Sequence, residues 1–130
     1  VHPRVPPYGG GKTEGVFVVK DVEVPLISGE TGPGKWLIEN LPGGEGSGLT
    51  RAWTHVEGHA AGIMQKYGLN EAELFINQIP CSVGRANCQA VIGKLLPNNS
   101  KLYVSYLKAD GTVGKGFFEA GVPGFTILVP

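Results

Sequence analysis

The chain has 130 residues, enough for one domain that buries a core without help from disulfides. Eleven Lys and Arg balance eleven Asp and Glu, which excludes a global basic footprint for a polyanion and leaves only a local patch, for which Arg51, Lys66, Arg85 and Lys94 lie close in sequence to the candidate site. No run of eighteen apolar residues occurs, so no membrane helix is expected, and a chain that starts at Val1 with no signal peptide reads as a piece cut from a longer protein.

Residues 1–13 carry prolines at 3, 6 and 7 and three consecutive glycines, the composition of an extended lead-in. Gly15–Lys20 and Val22–Ser28 are short β-branched runs joined near Asp21, a hairpin whose second strand Pro25 restricts to an edge or a bulge. Residues 29–50 hold six more glycines after Gly29 and two prolines around Trp36-Leu37-Ile38. That stretch is expected to be a long loop forming a wall of the site.

Thr54 is placed to cap a helix from about His55 to Tyr67, with Gly68 as its stop and Val56, Ala60, Ile63, Met64 and Tyr67 on one face. Glu71–Asn77 is the best strand, and it delivers the chain to Pro80-Cys81. Ala86–Leu96 reads as a second helix ended by Pro97, Lys101–Leu107 as a strand and Asp110-Gly111 as a turn, with further strand candidates at Phe117-Phe118 and Phe125–Val129. The order implies an α/β fold in one domain, 1–130, with a central mixed sheet of about five strands flanked by helices.

The chemistry concentrates in His55-x-Glu57 and, further on, Pro80-Cys81-x6-Cys88. One imidazole and two thiols suit a four-coordinate Zn2+ with its last position left to water, at a site carried by two helix N-termini. A zinc ion lowers the pKa of such a water toward about 7, and Glu57, not needed as a ligand, is free to move protons. Alternatives remain: Cys81 and Cys88 could close a small disulfide loop or be buried thiols, and His55 could be structural. His59 lies one turn beyond His55, but the HExxH order is missing, so it is read as a packing or second-layer residue. Trp53 is a candidate for stacking on a base and equally for core packing.

The combination His55-Val56-Glu57-Gly58, Phe75-Ile76-Asn77, Pro80-Cys81, Cys88 and Leu95-Leu96-Pro97-Asn98 resembles the DddA-like bacterial deaminase toxins of the cytidine deaminase superfamily. Val5-Pro6-Pro7-Tyr8, Gly11-Lys12-Thr13 and Gly15-Val16-Phe17 fit as well, so the likeness runs over nearly the whole chain. It implies that His55, Cys81 and Cys88 hold zinc, that Glu57 is the proton shuttle, and that Asn77 contacts substrate; Trp53, Tyr8 and Val56 are further candidates for substrate contact. It further implies cytosine in DNA as substrate, single- or double-stranded; the cost of opening a duplex, and not the likeness, gives a slight lean to single strands, since the family's type member acts on duplex. Also implied are a toxin role, secretion by bacteria into a target-cell cytoplasm, and a cognate immunity protein. An RNA or free-nucleoside deaminase and an inactive zinc-stabilised binding module share the same motif. The loop 82–87 between the cysteines is longer than in the family's type member.

Overall fold

The computed structural model describes residues 5–40, 52–80 and 88–129, the side chains of 52 and 88–90 excepted. Its elements are β1 (Glu14–Val19), β2 (Val22–Ile27), α1 (Lys35–Asn40), a 3-10 turn (Ala52–Thr54), α2 (Val56–Tyr67), β3 (Glu71–Ile76), α3 (Cys88–Leu95), β4 (Lys101–Leu107), β5 (Val113–Glu119) and β6 (Thr126–Val129). The strands form one six-stranded sheet in the order β2-β1-β3-β4-β5-β6, one strand more than expected. All pairs are antiparallel except β3 with β4, whose parallel pairing requires the crossover that α3 occupies. The architecture is mixed α/β, as the sequence implies, and no helix among the described residues is long and apolar enough to cross a membrane.

The hairpin forms where the β-branched runs place it, and β2 with its Pro25 is an outer strand, where a missing N–H costs least. Strand alternation separates two faces. Phe17, Leu74, Ile76, Leu102, Val104, Tyr106 and Phe118 are buried in a single core cluster with Val56, Ala60, Met64, Ile92 and Leu95 from α2 and α3. Glu71 and Glu73, at the alternate positions of β3, are exposed.

Two expectations need correction. Thr54 does not cap α2: the chain is still in the 3-10 turn there, and His55, extended at φ −84° and ψ 158°, is the N-cap, without a side-chain cap bond. The stop at Gly68 stands, with φ 63° and its N–H bonded back to the last turn. The second correction concerns residues 29–40, which are not simply loop. Gly29 to Gly34 leads into α1, and Leu37 of α1 is fully buried in the core. The glycines there serve close approach. A methyl group at Gly62 of α2 would overlap the Pro33 carbonyl, and one at Gly34 would overlap the Trp53 carbonyl. Backbone therefore rests directly on backbone, a packing that apolar periodicity does not report. The rest of the expected wall, residues 41–50, lies outside the described residues.

Candidate active site

The position of α2 is fixed from its first residue. Val56 is fully buried, and a methyl group at Gly15 of β1 would come within 2.8 Å of Val56 Cγ1 and 2.9 Å of Ile76 Cγ2. The two side chains thus meet over a glycine, across the Gly15–Ile76 pairing of β1 and β3. The start of α2 is thereby pressed against the end of β3, which brings His55 and Glu57 to the side of the sheet where β3 leads into Asn77. The turn Ala52–Thr54 packs on both α2 and α3, drawing the beginning of α2 toward the helix that opens with Cys88.

Glu57, in the first turn of α2, is buried at 3 % exposure, whereas His55 is half-buried, and each has a polar or ring partner. A carboxylate here lies near the positive end of the helix dipole. Cys88 is the first residue of α3. Cys81 lies outside the described residues, and among the described ones no group of three potential ligands is gathered. The donor set itself fits zinc: one imidazole and two thiolates, the imidazole at a helix N-cap and one thiol at another helix start.

His59 is not available to a metal. Its Nδ1 accepts the Gly34 N–H at 2.9 Å, and its Nε2 lies 3.1 Å from the Gly29 carbonyl, to which it donates in the tautomer that the first bond requires. Burial lowers its pKa below the ordinary 6.5, and the charge of His55 acts in the same direction, against the raising effect of the Gly29 bond. The neutral ring is a clamp that fastens residues 29–34 onto α2. Trp53, edge-on to His59 with centroids 6.4 Å apart, is 9 % exposed and belongs to the core.

Asn77 continues β3 past its last residue and ties it to β1. Its N–H donates to the Glu14 carbonyl (3.2 Å), its Oδ1 accepts the Glu14 N–H (3.1 Å), and Thr13 Oγ1 donates to Gln78 Oε1 (3.0 Å). Beyond these bonds opens a cleft of about 570 Å³ walled by Pro7 and Tyr8, residues 77–79, residues 106–109 and Ile127. It lies at the carboxyl ends of the two parallel strands, where open α/β sheets bind ligands. Tyr8, 41 % exposed, and Asn77 thus line one cleft, while Val56 and Trp53 lie in the core. Sequence reasoning did not single out Tyr106, Lys108 or Ile127 as cleft residues, since the end of β4 and the strand β6 lie far apart in the chain and only the sheet order brings them together.

A comparison with curated proteins gives no match. Residues 2–118 match the family model described as SCP1.201-like deaminase, which spans most of the chain, both halves of the His/Glu and Cys/Cys motif and five of the six strands, and the chain belongs to that deaminase family.

Proposed function

We propose that this deaminase acts on cytosine in DNA, converting it to uracil with zinc held by His55, Cys81 and Cys88. The observation that carries this reading is a buried carboxylate, Glu57, two residues from the imidazole at the N-cap of α2, on a helix pressed against the strand that leads to Cys81. Zinc, when bound, supplies a Lewis acid that makes water nucleophilic near neutral pH. Glu57 takes one proton from the attacking water and gives it to N3 of the ring, then takes the second from the new C4 hydroxyl and gives it to the departing amine, so that cytosine plus water gives uracil plus ammonia. Burial of Glu57 keeps bulk water from competing for that proton. Tyr8 and Asn77 stand at the adjoining cleft as groups that orient nucleic acid.

Single-stranded DNA is the favoured substrate because it needs no duplex opening, which costs a few kcal/mol. We also propose the DddA-like toxin role implied by the motif likeness, with bacterial secretion into a target-cell cytoplasm and a cognate immunity protein that covers the site. Ammonia release from DNA, RNA and free cytidine, compared for wild type and Glu57→Ala, tests the substrate. DNA-dependent release lost in Glu57→Ala supports the reading, and release from cytidine or RNA alone overturns it. For the toxin role, growth arrest by the wild type that is relieved by Glu57→Ala is expected, and equal growth contradicts it.

A further inference from the structure

The cleft at the carboxyl ends of β3 and β4 has a floor whose position depends on a missing side chain. Tyr106, the sixth residue of β4, pairs with Gly114 of β5, and a methyl group at 114 would overlap its ring. Gly116, two residues on, stands in the same way under the Phe125 ring. Tyr106 meets Phe125 edge-on at 6.1 Å, and Phe125 lies 4.8 Å from Phe118, so the ring is held from the side by an aromatic cluster. Tyr106 is 2 % exposed and yet lines the cleft, which is the arrangement of a floor residue. Neither His55 nor Glu57 is among the described residues that line this cleft, although Asn77 to Ile79 lead from it toward Cys81.

We infer that Tyr106, seated in the notch left by Gly114, sets the depth of a subsite for the nucleobase next to the reacting one, and so selects that neighbour by size. The inference rests on the nucleic-acid reading above. The surface of the cleft is mainly apolar, with Tyr8 and Tyr106 among its walls and Asn77, Gln78 and Lys108 as its other polar side chains, a lining that takes a flat ring by stacking and shape. Shape selection of this kind is sensitive to single carbon atoms, with one methylene worth about tenfold or more in discrimination. A shorter side chain at 106 deepens the subsite, and a methyl group at 114 drives the ring outward and makes it shallower.

The test is uracil formation in oligonucleotides that differ only in the bases flanking the target cytosine, on the 5′ side in one set and on the 3′ side in another. Wild type, Tyr106→Leu and Gly114→Ala are compared, with thermal denaturation run in parallel. In one of the two sets, Tyr106→Leu is expected to raise the rate at purine-flanked relative to pyrimidine-flanked cytosines by about tenfold, and Gly114→Ala to lower it. An unchanged ratio in folded Tyr106→Leu overturns the inference. Should that variant not fold, Tyr106→Phe, which keeps the contact with Phe125, must move the ratio in the same direction by about twofold or more. Binding of fluorescein-labelled forms of the same oligonucleotides to the Glu57→Ala chain, with and without the substitutions at 106 and 114, gives a readout free of turnover. No uracil from wild type, together with binding whose purine-to-pyrimidine ratio shifts at Tyr106→Leu, refutes the reaction but keeps the subsite. Binding with an unshifted ratio, or no binding, refutes the subsite.

Discussion

Replacing His59 by Leu removes two hydrogen bonds to backbone groups of the segment before α1 while keeping an apolar side chain of similar bulk in a fully buried position. Gly34 is buried, so its N–H would lose its partner with no water to replace it, at a cost of about 1–3 kcal/mol. The Gly29 carbonyl is only partly buried and recovers solvent, so its loss is closer to about 1 kcal/mol. The sum, about 3 kcal/mol, corresponds to a fall in Tm on the order of 10 °C for a domain of this size. Urea denaturation of wild type, His59→Leu, His59→Asn and His59→Gln apportions the effect. Asn can still accept from Gly34 and Gln can still donate to Gly29, so Asn is expected to retain more stability. Zinc stoichiometry should be the same in all four chains. A His59→Leu variant within about 0.5 kcal/mol of wild type would refute the clamp, since that is the range of an inconsequential surface change. A folded variant that binds less zinc would refute the assignment of His59 as a residue that does not ligate metal.

The same ring gives a pH dependence. Its folded-state pKa is lowered from 6.5, so above that value both states are neutral and its contribution is complete. As pH falls below 6.5 the unfolded chain takes up a proton that the folded chain resists, and stability declines until the lowered pKa is passed. The slope of stability against pH below 6.5 should therefore be smaller in His59→Gln than in wild type, and equal slopes would contradict it. At Gly62, alanine has the better helix propensity by about 1 kcal/mol, but its methyl group meets the Pro33 carbonyl, which is backbone and yields little. Gly62→Ala should therefore destabilise by about 1–3 kcal/mol in a denaturant titration, and a more stable variant would show that the segment shifts freely. Substituting Cys81 or Cys88 by Ser should each abolish stoichiometric zinc in a metal assay, whereas a disulfide between them would instead show as two thiols that react only after reduction.

Much of the fold could be read in the sequence where one local signal decided an element. Alternation marked the β1–β2 hairpin and β3, helical spacing ending at Gly68 marked α2, and Pro25 marked an edge strand. The missed helix α1 is six residues long and sits among glycines that act through close contact, so neither periodicity nor composition exposes it. Its anchor, Leu37, is buried in the core where α1 packs on α2 and on the turn Ala52–Thr54, and no amphipathic pattern of its own announces it. The candidate site divides along the same line. His55, Glu57, Cys81 and Cys88 were visible because each chemistry-bearing residue lies in a short motif. The roles of His59 and Tyr106 were not, since the partners of His59 are backbone groups 25 and 30 residues away and the notch under Tyr106 is a glycine on the neighbouring strand. Asn77 is intermediate: its motif named it, but only the structure shows its Oδ1 holding the start of β1.

The most direct measurement is uracil formation in matched single- and double-stranded oligonucleotides by the zinc-loaded wild type beside Glu57→Ala. Uracil from the wild type, reduced by at least about 10²–10⁴-fold in Glu57→Ala at unchanged zinc content, with single strands preferred, is the expected result. Absence of uracil from both substrates despite one bound zinc, or equal uracil from Glu57→Ala, would contradict the assignment of this deaminase to cytosine in DNA with Glu57 as its proton carrier.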